Sequence, residues 1–531
     1  MSSALRLRLL ASIAVLALVA ACGSDDGGKK GEGGGDTTVT IAVADEPGTL
    51  DMAAGSTGEI NIAENIFDSL VDRGQADGGI TPQLAESWEA AEDELSWTFH
   101  LRKGVKFTNG EPFNAEAVKY SIERFLAEDY TTSFASYWTA LDNIEVVDEL
   151  TVKFNLKEPN PVLAQTMPWH SLVVPPKYTE EVGNEKFGAA PIGTGPYKLK
   201  EWRRGDRLIL EANEDYFAGA PKIKTVVFRF IEDASARTAA LLSGEIDIAA
   251  PVDIEQAEQV ENADGVSIKT QDFSILRDRL MMRQDKPPFD DVRVRQAVSM
   301  AVDREAIVKN VLAGYGKVTN GPIVEGEFGW SAELEKNGYE YDPERAKELM
   351  AEAGYADGVE VTFDTRPGSF PKDSETPVAI ADYLAKIGIK TNIVENEYAQ
   401  FLEKMSTGKL GELAMGLMVG GGNFHAFHTF KIFLDCEQSS GIWNPKNAEG
   451  KGIMACYPEV DKLAREGLKL ADSAPEKSQE LYGEAYRVAV QEEAVSAFLW
   501  SYQPLYGVSD DLDWVPTVQG DFLFADASFK K

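Results

Sequence analysis

The chain has 531 residues, of which 44% are hydrophobic, and its formal net charge is −35 at pH 7. Its length and composition allow a large core and about three or four domain-sized units. A surface this acidic repels phosphate backbones, which argues against nucleic acid as a partner. It also offers no polybasic segment that could attach the protein to anionic lipid.

The first residues have the pattern of a lipoprotein export signal. Arg6 and Arg8 precede an apolar run from Leu9 to Ala20, which is shorter than the roughly 20 residues that a spanning helix needs. The letters VAAC that end at Cys22 resemble a lipobox, in which the cysteine thiol accepts lipid after cleavage. An ordinary secretory signal is the alternative. We expect residues 1–21 to be removed and Cys22 to hold the protein on the extracytoplasmic face of a cell membrane.

Residues 22–37 predict a flexible tether, because they are rich in glycine and charge and cannot bury anything. Folded sequence is expected from Thr38, where Val39, Ile41 and Val43 alternate with small or polar residues as in a half-buried strand.

Further along, strand and helix patterns intermix. Residues 97–101 alternate in the manner of a strand, with Trp97 and Phe99 as packing residues. Asn114, Asp291 and Asp342 each precede a run with apolar residues at helical spacing, and each predicts a helix N-cap. This mixture indicates the α/β class.

Cys436 and Cys456 remain once Cys22 is assigned to lipid. In an exported, oxidising setting a disulfide between them would close a loop of about twenty residues, worth about 3 kcal/mol on the loop-entropy model. Two free thiols are the alternative.

Seven stretches of sequence resemble, in order, the extracytoplasmic solute-binding proteins of ABC importers in the peptide- and nickel-binding family (family 5). They are TPQLAESWE at 81–89, SWTFHLRKGVKFTNGEPF at 96–113, PIGTGPYKLKEWRRGD at 191–206, EANEDYF at 211–217, LLSGEIDIA at 241–249, FDDVRVRQAVSMAVDREAIV at 289–308 and DPERAKELMAEAGY at 342–355. The resemblance covers about residues 38–508.

The resemblance implies a two-lobed, periplasmic-binding-protein-like type II fold (a Venus flytrap) with an extra subdomain in the first lobe. Hinge closure around a ligand would then convert binding into a signal for a transporter. The boundaries expected are residues 38–275 for the first lobe, 66–189 within it for the extra subdomain, 276–495 for the second lobe and 496–531 for the return to the first.

The resemblance also places the ligand beside the apolar strand from Leu413 to Val419. In peptide-binding relatives this strand leads into an acidic stretch whose first Asp pairs with the amino terminus of the ligand. Here the acid is missing, which puts recognition of a free amine in doubt. The candidates in its place are backbone amides, an amide side chain and apolar walls, from Gly420, Gly421, Gly422, Asn423, Phe424 and Phe427. A loop without ligand contact is the alternative.

The other ligand-binding candidates form two groups, one in a loop of the first lobe and one of aromatic residues. Ser56, Thr57 and Glu59 are expected in the loop after the first strand, where Glu59 could pair with a cation or simply be solvated. The aromatic candidates are Trp443, Trp500 and Tyr502, with core packing the stronger interpretation for Trp500.

His425 and His428 are weak candidates for a metal or a metal chelate, because no third ligand is evident and spacing fixes no geometry. Ordinary polar loop residues are the preferred interpretation. No catalytic residue and no cofactor is expected.

The predicted function is a lipid-anchored binding protein, acting as a monomer, that captures an oligopeptide or similar solute and delivers it to ABC permease subunits. The alternatives are a binding protein for a non-peptide solute (metal chelate or sugar-like) and a ligand sensor. A secreted enzyme is disfavoured, because no nucleophile elbow or HExxH motif is present.

Overall fold

The strands of the molecule sort into three larger sheets, with helices packed around them. The computed structural model describes residues 37–55, 57–73, 79–127, 133–271, 276–368, 370–419, 424–434, 452–454, 456–517 and 520–530. Within them, Thr37 and the residues after it form one compact unit.

The strands are β1 (Thr38–Val43), β2 (Val71–Arg73), β3 (Ile80–Pro82), β4 (Ala85–Ala90), β5 (Ser96–Leu101), β6 (Leu141–Asp148), β7 (Thr151–Leu156), β8 (Tyr197–Arg203), β9 (Arg207–Ala212), β10 (Thr225–Phe230), β11 (Ile248–Ala250), β12 (Val266–Lys269), β13 (Leu276–Met282), β14 (Gly316–Val318), β15 (Val359–Thr365), β16 (Ile389–Glu395), β17 (Leu413–Val419), β18 (Ala497–Tyr502), β19 (Tyr506–Ser509), β20 (Leu512–Asp513) and β21 (Ser528–Phe529).

The α-helices are α1 (Thr57–Ala63), α2 (Ala115–Phe125), α3 (Leu163–His170), α4 (Pro176–Val182), α5 (Asn184–Ala189), α6 (Ala234–Leu242), α7 (Ile254–Glu261), α8 (Val292–Ala301), α9 (Arg304–Asn310), α10 (Ala332–Lys336), α11 (Pro343–Glu352), α12 (Glu375–Lys386), α13 (Tyr398–Ser406), α14 (Ala426–Leu434), α15 (Pro458–Lys469) and α16 (Pro475–Tyr486). A 3₁₀ turn spans Ser133–Trp138, and a π-helical turn spans Arg487–Glu492.

The first lobe is built on a seven-stranded sheet in the order β12-β19-β11-β1-β10-β9-β8. β1 runs parallel to both of its neighbours, β10 and β11. Because β1 is central, both of its faces are covered, and Val39, Ile41 and Ala42 are all fully buried.

A smaller antiparallel sheet in the order β4-β5-β7-β6 lies within the span expected for the extra subdomain. Phe99 meets Phe154 edge to face at 5.4 Å between ring centroids, and Trp138 stacks on Phe154 at 5.8 Å. The prediction that Trp97 and Phe99 are packing residues is confirmed, since both are buried in this core.

The second lobe is built on a six-stranded sheet in the order β14-β18-β13-β17-β15-β16. β15 runs parallel to β16 and β17, whereas β13 pairs antiparallel with β17 and β18. The carboxyl end of β15 therefore lies at a sheet edge where parallel strands end together, the usual place for ligands in α/β sheets.

The three predicted helix caps are confirmed. The side chain of Asn114 accepts a hydrogen bond from the backbone N–H of Ala117 at the start of α2. Asp291 and Asp342 do the same for α8 and α11. The short Asn or Asp side chain accepts a hydrogen bond from one of the otherwise unpaired N–H groups at the helix start. Because the two partners lie two or three residues apart, the cap could be predicted from the local sequence.

The chain returns to the first lobe later than expected. β18 still pairs with β13 and β14 in the six-stranded sheet, and the chain re-enters the seven-stranded sheet only at β19, between β11 and β12. The expected return at residue 496 is therefore too early. The other lobe boundaries stay predictions.

Candidate functional site

A buried guanidinium stands directly after β15. The side chain of Arg366 is 8% exposed, and its guanidinium carbon lies 5.0 Å from the ring centroid of Phe370, 5.4 Å from that of Phe401 and 5.9 Å from that of Tyr398. Among the described residues, no group accepts a hydrogen bond from it. Burial lowers the pKa of Arg366, although an arginine with a lowered pKa remains charged at neutral pH. The site therefore holds a desolvated positive charge whose N–H donors are uncommitted within this part of the chain.

Asp278 and Tyr502 border this guanidinium. The Tyr502 hydroxyl donates to Asp278 in β13, and the Tyr502 ring stacks on Phe370 at 5.7 Å. Burial raises the pKa of Asp278 to about 7, against the opposing effects of the Tyr502 hydrogen bond and the charge of Arg366. Tyr502 thus borders the Arg366 guanidinium, and its role as a ligand wall stays a prediction.

The loop that carries Arg366 also contacts the first lobe. The ammonium of Lys372 pairs with Glu255, in the first turn of α7. At the last turn of the same helix, Glu261 accepts a hydrogen bond from the Tyr315 hydroxyl at 2.7 Å. Both ends of α7, an element of the first lobe, are therefore held by side chains of the second.

A second set of contacts between the lobes involves residues 424–428. The guanidinium carbon of Arg73 lies 4.5 Å from the ring centroid of Phe424. The Tyr137 ring stacks on His428 with 5.2 Å between centroids and an interplanar angle of 7°. Arg73 ends β2 and Tyr137 lies in the 3₁₀ turn, so both belong to the part of the first lobe predicted to be the extra subdomain. These contacts join residues 424–428 to the first lobe, and the predicted role of the stretch in ligand binding stays a prediction.

His425 has different surroundings from His428. Its ring stacks on Phe328 at 4.8 Å and meets Tyr482 edge to face at 5.4 Å, inside the second lobe. Burial lowers the pKa of His425 to about 3 and that of His428 to about 4. Within the described ranges, no three His, Cys, Asp or Glu side chains converge as a group that could hold a metal. The two rings therefore contact different aromatic partners, and the absence of a metal here stays a prediction.

The remaining candidates are distributed as follows. Thr57 and Glu59 belong to helix α1 and not to a loop, and their side chains lie outside the described part of the structure. Phe427 is half-buried against a hydrophobic cluster of the second lobe. Trp500 is fully buried in the core of the six-stranded sheet, which favours core packing over a ligand wall.

Several predicted residues lie outside the described residues: Cys22, Ser56, Gly420, Gly421, Gly422, Asn423, Cys436 and Trp443. Cys456 is disulfide-bonded in the structure. Its pairing with Cys436 stays a prediction.

Sequence reasoning missed Arg366, although a local signal was present. A basic residue followed by Pro-Gly directly after an apolar strand places a cation where parallel strands end. Arg73 and Tyr137 were also missed, and no local signal marks them, because their partners lie hundreds of residues away along the chain.

Comparison with known proteins gives the family. The model of the family described as "Bacterial extracellular solute-binding proteins, family 5 Middle" matches residues 79–439, more than half of the chain. The chain belongs to this family. Its two lobes, each built on a large mixed sheet, have the arrangement of a type II periplasmic binding protein.

Relatives of this solute-binding protein include the heme-binding protein A of Haemophilus influenzae, 30% identical over 389 residues, which are 68% of this chain and 70% of that protein. The di/tripeptide-binding protein 1 of Pseudomonas aeruginosa is 29% identical over 476 residues, 83% of this chain and 85% of that one. Among solved structures, HbpA2 from Haemophilus parasuis superposes with a TM-score of 0.81 at 24% identity, over 93% of this chain and 100% of that one. In the described part of this solute-binding protein, no helix has the length and apolar character needed to cross a membrane.

Proposed function

We propose that this protein is the receptor of an ABC importer and captures a small solute with an acidic group, such as a short peptide, in the cleft between its lobes. The observation that carries the proposal is the Arg366 guanidinium, which is buried among three aromatic rings without an acceptor among the described residues. A carboxylate would supply the missing acceptor and could do so with two parallel hydrogen bonds.

The class of solute follows from the chemistry on each side of the cleft. Aromatic faces beside Arg366 suit a ligand with a flat or apolar body attached to its acid. The stretch after β17 has no acidic residue from Gly420 to His428, so a free amine is not the group that this stretch selects. A relative described as binding di- and tripeptides supports peptide as the first candidate. A non-peptide acid fits the same geometry, and a ligand sensor would use the same cleft.

Delivery to a permease follows from the two-lobed fold. A ligand that touches both lobes shifts the population toward the closed arrangement, and closure is what a membrane partner can recognise. We propose a monomer that works in this way outside the cytoplasm, with a binding function and no catalysis.

The test of the function is identification of the ligand that copurifies with the native protein, by mass spectrometry, followed by calorimetry. We expect a solute with at least one carboxylate. If peptides bind, amidation of the carboxyl terminus should weaken binding more than acetylation of the amino terminus, because Arg366 faces the acid. A copurified solute without an acidic group, or an acetylated peptide that no longer binds, would contradict the proposal.

The lipid anchor gives a separate prediction. Because the lipobox-like letters end at Cys22, we expect Cys22→Ser to release the protein in soluble form, whereas the unchanged protein sediments with membranes. Fractionation of cells that express either form is the measurement. Equal membrane association of both forms would place the anchor elsewhere.

A further inference from the structure

The contacts between residues 424–428 and the first lobe fill surface that a ligand would otherwise use. Phe424 is 3% exposed and Arg73 is 4% exposed, with the guanidinium over the ring at 4.5 Å. The ring face of Phe424 is therefore covered by Arg73 and not left open to the cleft. A cation–π contact gains strength when both partners are removed from water.

Each partner in this contact is fixed by its own lobe. The Phe424 carbonyl accepts a hydrogen bond from the Phe328 N–H at 2.9 Å, and the Ala426 N–H donates to the Phe328 carbonyl at 2.8 Å. Phe424 also has a φ of +51°, a conformation that costs energy for a residue with a side chain and that persists where surroundings require it. On the other side, Nη2 of Arg73 donates to the carbonyl of Gln165 at 2.9 Å.

A second contact between the lobes, made by aromatic rings, lies beside the contact of Arg73 with Phe424. The Tyr137 ring stacks on His428 with 5.2 Å between centroids and contacts the tilted His170 ring with 3.8 Å between centroids. His170 is oriented by its Nδ1, which donates to the carbonyls of Thr166 and Pro168. Tyr137 thus links an aromatic ring of the second lobe, His428, to one of the first lobe, His170.

We propose that Arg73, Tyr137, Phe424 and His428 form a closure latch, which sets ligand affinity by stabilising the closed arrangement of the lobes and does so without touching the ligand. The contacts exist only when the lobes are together, so their free energy enters the equilibrium between open and closed forms. Apparent affinity falls with the fraction of protein that is competent to close, so a weaker latch weakens binding. This role replaces the predicted role of Phe424 as a ligand wall, and it rests on the proposed function.

The test uses Arg73→Met, which keeps the length of the side chain and removes its charge, and Phe424→Leu. Calorimetry with the copurified ligand measures affinity, and small-angle X-ray scattering of the ligand-free protein measures closure. We expect each variant to bind about tenfold more weakly, given the strength of a desolvated cation–π contact. The double variant should bind no more weakly than either single variant, because both remove the same contact. Ligand-free Arg73→Met protein should have a larger radius of gyration than the unchanged protein.

Arg102→Met is the matched control. Its guanidinium carbon lies 5.1 Å from the ring of Phe217, and both residues belong to the first lobe, so this contact is the same in the open and closed forms. We expect its affinity and its radius of gyration to be unchanged.

Unchanged affinity and unchanged scattering in Arg73→Met would overturn the latch. So would losses in the single variants that multiply in the double variant, since independent losses indicate two separate ligand contacts. If the unchanged protein binds no small solute, the proposed function fails, and scattering alone then decides the latch. If Arg73→Met does not fold, Tyr137→Leu takes its place, with the same expected loss of affinity and the same expected increase in the radius of gyration. The double variant then pairs it with His428→Leu, because Tyr137 contacts His428.

Discussion

Arg366→Gln is expected to weaken ligand binding by about two to three orders of magnitude, because truncating one partner of a buried, hydrogen-bonded charge pair costs roughly 2–5 kcal/mol. Arg366→Lys should bind with intermediate affinity, since an ammonium keeps the charge but cannot make two parallel hydrogen bonds. Calorimetry with the copurified ligand is the measurement.

The stability of Arg366→Gln should move in the opposite direction. Among the described residues nothing accepts a hydrogen bond from this guanidinium, so the ligand-free protein bears the cost of a desolvated charge. Replacing it with a neutral side chain should leave the unfolding free energy of the ligand-free protein unchanged or higher, as is common when a binding residue is removed.

Arg283→Gln gives the contrasting control within the same lobe. The Arg283 guanidinium is held by Asp285 and by the carbonyls of Gly408 and Leu410. Its loss should lower stability and leave affinity close to that of the unchanged protein. An Arg366→Gln variant that loses stability but binds normally would show that Arg366 is a structural residue.

The second large effect concerns stability and pH. Burial raises the pKa of Asp68, Asp278 and Asp521 to about 7 in each case. Burial also raises the pKa of Glu64 well above its ordinary value, and the neighbouring charge of Asp521 raises it further. A carboxyl with a raised pKa binds its proton more tightly in the folded state, so its contribution to stability is full at low pH and is lost as pH rises toward about 7.

The buried histidines act in the opposite sense over a lower range. Burial lowers the pKa of His170 and His425 to about 3 and that of His428 to about 4. Below the unfolded pKa of about 6.5 they favour the unfolded state increasingly as pH falls. As pH rises from about 4 to 6.5, the buried carboxyls therefore lower the free energy of unfolding and the buried histidines raise it, so the two effects oppose each other. Above that range the carboxyls act without this opposition.

We therefore expect the free energy of unfolding to fall between pH 6.5 and 7.5 and to change less between pH 5 and 6.5. Asp68→Asn isolates one group, because an amide resembles the protonated acid and does not titrate. Between pH 5 and 8 the variant should gain about 2–3 kcal/mol of stability relative to the unchanged protein, at about 1.4 kcal/mol for each pH unit over which the folded state alone is protonated. Urea unfolding at four pH values is the measurement. Parallel curves for the two proteins would contradict the raised pKa of Asp68.

The features that could be predicted from the sequence are those fixed by neighbours along the chain. The caps at Asn114, Asp291 and Asp342 depend on residues two or three positions away, and the alternation in β1 reflects the two faces of one strand. The seven stretches that resemble the solute-binding family, in the family's order, also predicted the two-lobed fold. The start of α1 at Thr57 was missed, although Ser56 and Glu59 have the S-x-x-E spacing of a capping box in the sequence.

The candidate site was predicted less well, because it depends on contacts between distant segments. The sequence indicated the stretch after β17, but it could not show that Phe424 would meet Arg73 and that His428 would meet Tyr137. Trp500 and Tyr502 lie two residues apart on β18 and both belong to the core of the six-stranded sheet. Only the packing of the sheet shows that Tyr502 also borders Arg366.

The placement of β19 has a consequence for how the chain is made. Residues 503–505 alone separate β18, in one sheet, from β19, which is inserted between β11 and β12 in the other. During synthesis, β11 and β12 emerge long before the strand that joins them. The lobe that is translated first is thus the last to be completed. A stop codon before residue 506 would remove an internal strand from it, leaving the edge strand β12 without its neighbour, while every strand of the six-stranded sheet stays in place.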